Sequence, residues 1–169
     1  MTLEIRPIRA DDDHAAAGAV VQQAYAQLQQ VRPDDEYHRM LGEVGDRILD
    51  STVVVALDDD RVVGCLTFVA GSDNPHFEFD DDEAASFRYF GVDPSVQGRG
   101  VGEAMVQWCL DTARADGKQR IRIHTLESMP AAQRLYLRMG FVRDETNDED
   151  WDGIIGLAFV HHLCDQPAC

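Results

Sequence analysis

Three glycines at positions 98, 100 and 102, set between a β-like run and an amphipathic helical run, constrain this chain more than any other feature of its 169 residues. Ser86–Val92 is apolar and β-prone, and Pro94 ends its ladder bonding. Gln97-Gly98-Arg99-Gly100-Val101-Gly102 then leads into a helix expected over about Gly102–Ala115. Glycine lets a backbone bend tightly and approach a ligand. The first amides of a helix lack intrahelical acceptors and sit at the positive end of its dipole, so such a turn suits a phosphate or pyrophosphate. The turn is not a P-loop, because no Gly-Lys-Ser/Thr follows, and no glycine stands at the third spacing of a dinucleotide fingerprint.

Charge supports an anion site in this region. The chain carries 31 Asp and Glu against 15 Lys and Arg, a net −16. Between Arg88 and Arg143, however, nine basic residues face five acidic ones, and the remainder carries −20. Nucleic acid and anionic lipid bind clustered cations, so neither is an expected partner. The acidic runs Asp11–Asp13, Asp58–Asp60 and Asp80–Glu83 are expected as solvated turns and caps. No apolar run approaches the roughly 20 residues of a bilayer span, and MTLEIRPIRA has no secretory h-region, so the expected location is the cytoplasm. Cys65, Cys109, Cys164 and Cys169 lack metal-ligand spacing and no metal is expected; Cys65 and Cys109 lie in apolar stretches.

Around the turn the chain reads as one mixed α/β domain over 1–169. Leu3–Arg9 is an edge strand that tolerates Pro7. Asp11–Asp13 cap a helix running through Gln29, which Pro33 ends. Asp34–Asp35 start one further helix with Tyr37, Met40, Leu41, Val44 and Ile48 as its stripe. Thr52–Leu57 and Arg61–Ala70 form a hairpin about Asp58–Asp60. Val101, Met105, Trp108 and Thr112 form the core stripe of the helix after the turn. Arg120–Leu126 is a strand, Pro130–Met139 a helix stopped by Gly140, and Phe141–Arg143 a short strand. Asp144–Asp152 is a polar loop before a last strand, Ile154–Leu163, whose apolar part (Ile154–Phe159) leaves a homodimer through sheet extension open.

Gln97-x-x-Gly100-x-Gly102 after Val92-Asp93-Pro94 closely resembles the acetyl-CoA signature of the GCN5-related N-acetyltransferase (GNAT) superfamily. Ala132-x-x-Leu135-Tyr136-x-x-x-Gly140-Phe141 resembles that family's later helix, in register downstream. The resemblance implies a mostly antiparallel twisted sheet of six to seven strands flanked by about four helices. It implies acetyl-CoA as cosubstrate, with the backbone at Phe90, Gly91 and Val92 pairing with the pantetheine arm. Amides of Gln97, Gly98, Arg99, Gly100, Val101 and Gly102 would hold the pyrophosphate, with Ala132 also at the cofactor. Arg99 is the side chain expected to reach a phosphate.

For chemistry, acyl transfer to an amine needs a neutral nucleophile, a polarised carbonyl and a proton for the leaving thiolate. The resemblance assigns that proton to Tyr136 and the carbonyl to an amide near Val92. Many relatives carry a glutamate on the strand where this chain has Ser86, which cannot serve as such a base. Glu83 is the substitute if a bulge brings it in; Glu78, His76, His124 and a water chain are further alternatives, and His124 is more simply a satisfied core histidine. Met129 stands where relatives commonly have asparagine. The acidic stretches at Asp34–Glu36 and Asp80–Glu83 favour a cationic acceptor, a small-molecule or peptide amine, with Tyr25, Tyr37 and Phe79 as candidate lining. A non-catalytic acyl-CoA binding module is the alternative function.

Overall fold

The computed structural model describes residues 2–28 and 35–163. Gln29, Pro33, Asp34, Cys164 and Cys169, on which expectations were placed, lie outside the described residues. Among the described residues the fold is mixed α/β, with eight strands in a mostly antiparallel arrangement and five α-helices, one strand and one helix more than expected. The chain groups into two compact units, Met1–Phe68 with Arg88–Trp108, and Val69–Phe87 with Cys109–Cys169.

In the first unit, β1 (Leu3–Pro7) lies at the sheet edge and pairs antiparallel with β2 (Thr52–Asp58), Pro7 opposite Val54. A hairpin joins β2 to β3 (Arg61–Val69) through Asp59 and Asp60, both with positive φ, the geometry that suits strand twist. Helix α1 (His14–Ala26) begins where Asp13 accepts from the Ala16 amide at 2.9 Å. The single helix expected after it is broken into α2 (Glu36–Gly42) and α3 (Val44–Ile48), with Glu43 at φ −85, ψ 65 between them. Contact geometry places Gly42 against α1: a Cβ on Gly18 would lie 2.3 Å from the Gly42 carbonyl oxygen, so the two helices meet backbone to backbone. Ile48 and Tyr37 of the expected apolar stripe end up exposed. Ala17, Val21, Leu41, Val44, Val53, Val55, Cys65 and Tyr89 are buried together in the core.

In the second unit, the start of β4 (Ala84–Val92) runs parallel to β5 (Arg120–Leu126) for two residue pairs, Ala84 with Arg120 and Ala85 with Ile121. β5 pairs antiparallel with β8 (Ile154–His162) along its whole length. β6 (Val142–Arg143) and β7 (Glu149–Trp151) also pair with β8. Both edges of β8 are therefore occupied, which removes the expected dimer route through Ile154–Phe159. β7 itself falls inside the stretch expected as loop. Asp152 and Gly153, both with positive φ, turn it into β8. Helix α5 (Pro130–Arg138) ends at Gly140, φ +94.

Candidate functional site

In the first unit, β4 closes on the glycine turn. Asp93 donates its amide to the Val63 carbonyl (2.8 Å) and caps a short 3-10 turn, Pro94–Val96, by accepting from the Ser95 amide at 2.8 Å. That hydrogen bond, with Arg61 3.0 Å away, holds the Asp93 carboxyl below its ordinary range. Val96 is buried and anchors the turn. Gly98 and Gly100 both adopt φ +81, and a Cβ at either would meet nothing within 4 Å. Backbone conformation, with open space in front, therefore explains the glycines. The Ala104 amide donates to Gly100 at 3.0 Å, starting α4 (Val101–Ala115). The preceding first-turn amides of α4 have no acceptor within the helix.

Helix α4 is seated by a close approach: a Cβ on Gly64 would lie 2.7 Å from the Met105 sulfur. Its buried stripe is Val101, Met105, Val106, Cys109, Leu110 and Ala113, while Trp108 and Thr112 of the expected stripe are only half-buried. Along β4, Arg88, Phe90 and Val92 are half-buried whereas Tyr89 and Gly91 are buried. A Cβ on Gly91 would lie 2.7 Å from the Val20 carbonyl oxygen of α1, so only glycine permits that packing. Phe90 and Val92 thus lead directly into the turn. Gln97, Arg99 and Gly100 are exposed; the Gln97 and Arg99 amides donate to the Pro94 and Val96 carbonyls (3.4 and 3.3 Å), and among the described residues the Arg99 side chain has no hydrogen-bond or ion-pair partner.

The second unit holds the other candidates. Tyr136 of α5 is 4% exposed, packed among Phe87, Phe141 and Phe159 with ring centroids 5.9, 5.6 and 6.0 Å away. Burial, with a smaller contribution from Cys109, pushes its phenol well above the ordinary value, so it stays protonated. Among the described residues its hydroxyl makes no hydrogen bond. Ala132 lies half-buried one turn earlier. Met129 caps α5 with no side-chain bond.

The local positive charge expected from sequence is largely cancelled by acids outside its segment. Asp81 receives Arg120 at 2.9 Å and Arg122 at 2.6 Å, and Arg122 also reaches Asp144. Burial works against the Asp81 carboxylate, but these hydrogen bonds outweigh it and hold its pKa down to about 2. Arg143 pairs with Asp148 at 2.7 Å. The Asp80–Glu83 run is therefore not a solvated turn throughout: Asp81, 7% exposed, clamps two arginines of β5. Glu83 is exposed and accepts from Arg120 at 3.2 Å. Ser86 is buried.

His124, on the same β5 face, has Nδ1 3.3 Å from the Glu78 carboxylate and Nε2 2.8 Å from the Asn147 carbonyl. Its ring stacks on Phe79 at 4.5 Å and meets Trp151 edge-on. Both nitrogens face acceptors, an arrangement that favours the imidazolium. Burial alone would lower its pKa, but the Glu78 and Asn147 hydrogen bonds reverse that and raise it. Both ring nitrogens are thus engaged within the protein. The sequence singled out His124, Glu78 and Phe79 one by one but carried no signal that joins them, because the cluster's members come from three separated segments. His76 is half-buried, its amide donating to Asn74 at 2.8 Å.

Among the described residues, no helix is long and apolar enough to cross a membrane, and no group of three or more His, Cys, Asp or Glu side chains is placed to hold a metal ion. The model of the acetyltransferase (GNAT) family matches residues 19–141. A GNAT-family acetyltransferase from Staphylococcus aureus Mu50 superposes with a TM-score of 0.75 at 12% identity, covering 96% of this chain and 100% of that one. A GNAT-family acetyltransferase from Elizabethkingia anophelis, solved with acetyl-CoA bound, has a TM-score of 0.66 at 15% identity, covering 95% and 98%. In sequence, a mycothiol acetyltransferase from Beutenbergia cavernae is 41% identical over 51 residues, 30% of this chain and 17% of that protein. Another from Streptosporangium roseum is 42% identical over 53 residues, 31% and 16%. The chain matches only about a sixth of the length of these curated relatives.

Proposed function

The chain belongs to the acetyltransferase (GNAT) family, and on that premise we propose that it moves an acetyl group from acetyl-CoA to a primary amine by direct attack in a ternary complex. The observation that carries this reading is the glycine turn: two residues at φ +81 facing open space at the N-terminus of α4, whose first amides have no acceptor within the helix. Such a cradle fits a diphosphate, and the Arg99 side chain stands beside it with no ion-pair partner among the described residues.

Acetyl-CoA, when bound, supplies the activated acyl group. Gly98, Gly100, Val101 and Gly102 hold its diphosphate through backbone amides, while Gln97 and Arg99, whose amides donate within the turn to Pro94 and Val96, face it with their side chains; Phe90, Gly91 and Val92 line the arm with backbone groups, and Ala132 contacts the cofactor. The Val92 amide polarises the carbonyl that the amine attacks. As the new C–N bond forms and the C–S bond breaks, Tyr136 donates its proton to the departing sulfur, a role supported by a hydroxyl that is protonated and makes no hydrogen bond among the described residues. Glu83 takes the amine proton; it is exposed, and its carboxylate accepts from Arg120 at 3.2 Å. The acceptor is a small-molecule or peptide amine.

One observation favours a second reading. Ser86, buried where relatives carry a glutamate, leaves the strand without a base, as a non-catalytic acyl-CoA binding module would tolerate. Mixing the protein with acetyl-CoA and a panel of small and peptide amines, and following free thiol release, tests the proposal. Turnover on any amine supports the transferase. Binding without turnover on all of them supports the sensor, and no binding refutes both.

A further inference from the structure

Two costly features of the first unit touch each other. Arg47, in α3, is 2% exposed, and among the described residues no carboxylate pairs with it. Its guanidinium donates instead to Thr67 Oγ1 on β3 (3.1 Å) and to the Met40 and Leu41 carbonyls at the end of α2 (2.8 and 2.9 Å). A buried cation without an anion is retained against a desolvation penalty. Its Cζ lies over the Tyr89 ring, 4.7 Å from the ring centre. Tyr89 is the second feature: it is an aromatic residue inside β4 with φ +52, a conformation that persists only where the surroundings impose it. Arg88 lies 4.7 Å from the same ring, so the buried tyrosine is flanked by two guanidiniums.

Tyr89 immediately precedes Phe90, Gly91 and Val92. Two residues on, α1 rests on Gly91 with no room for a Cβ. The segment is therefore pinned at residue 91 by α1 and at residue 89 by the ring that Arg47 faces. A left-handed residue in a strand reorients the groups that follow it, as a bulge does. We infer that Arg47 is a positioning residue: by holding the Tyr89 ring it keeps residue 89 left-handed, and so sets the orientation in which Phe90–Val92 present their backbone groups to an acyl-CoA. This inference rests on the function proposed above. Lysine would not substitute, because a point-charge ammonium cannot reach Thr67, Met40 and Leu41 together while staying over the ring.

The test compares wild type, Arg47→Leu, Arg47→Lys and Arg47→Leu/Tyr89→Gly. Each is measured for acetyl-CoA affinity by calorimetry, and the three proteins that keep Tyr89 also for its 13Cα and 13Cβ shifts, which report its backbone region independently of overall stability. We expect both single variants to lose the left-handed shift signature and to bind acetyl-CoA about tenfold more weakly or worse. Glycine adopts φ +52 without the side-chain penalty, so the double variant should recover affinity to within about threefold of wild type. If Arg47→Leu does not fold, Arg47→Lys alone carries the same two readings. A folded Arg47 variant that keeps wild-type affinity, or one that loses affinity while residue 89 stays left-handed, overturns the inference and leaves the proposed function standing. Failure of glycine to restore a folded double variant overturns it as well. Wild-type protein that binds no acetyl-CoA removes both.

Discussion

Replacing Gly100 separates what the turn contributes to folding from what it contributes to binding. Gly100 sits at φ +81 with nothing within 4 Å of an added Cβ. Gly100→Ala therefore meets no clash and carries only the left-handed backbone penalty, about 1–2 kcal/mol. For a domain of this size each kcal/mol lowers Tm by about 2–4 °C, so we expect a loss of about 2–8 °C. Gly100→Glu carries the same backbone penalty and adds a carboxylate at the proposed diphosphate seat. One unit charge about 5 Å from another, at an effective dielectric of about 20, is disfavoured by about 3 kcal/mol. That corresponds to more than about 100-fold in Kd. Scanning calorimetry should find the two variants similarly destabilised, whereas isothermal titration with acetyl-CoA should detect binding in the alanine variant only. A glutamate variant that binds within about threefold of wild type would refute the placement of the diphosphate.

Tyr136→Phe should leave acetyl-CoA affinity unchanged and lower kcat by about 100-fold, the lower end for a lost general acid; equal kcat would return Tyr136 to a packing role. Glu83→Gln should depress kcat/KM near neutral pH and converge on wild type at alkaline pH, where the amine deprotonates unaided; superimposable pH profiles would remove Glu83 as base. Asp81, its pKa held to about 2 against an ordinary 3.8, contributes stability that is present above pH 4 and lost as pH falls toward 2. At about 1.4 kcal/mol per unit, Asp81→Asn should cost about 2 kcal/mol at pH 7 and flatten this acid limb in urea titrations; an unchanged midpoint would count against the clamp. His124, with its pKa raised, contributes stability that is fully present below pH 6.5 and declines as pH rises through the folded value. His124→Gln should abolish that alkaline decline, and an identical slope in both proteins would show that the imidazolium is not its source.

The sequence alone determined the elements whose signal is local. Arg120–Leu126 alternates strictly, Pro130 opens a helix and Gly140 stops it, and three glycines before an apolar stripe specify a turn at a helix mouth. Each rests on periodicity or on one residue's backbone preference, and each appears in the structure within a residue or two. The missed strand β7 had a local signal too: Asp152-Gly153 is a hairpin turn, overshadowed by the exposed and acidic Glu149-Asp150-Trp151 before it. Tertiary structure decided the rest. Whether α2 and α3 form one helix depends on Gly42 meeting Gly18; whether Asp81 is solvent-facing or a clamp depends on two arginines some forty residues away. The charged state of His124 and the partners of Arg47 likewise come from segments that the chain brings together only on folding. Backbone preferences act over a few residues and are written in order along the chain. Desolvation, ion pairing and close packing act through space, between groups whose proximity no local pattern records.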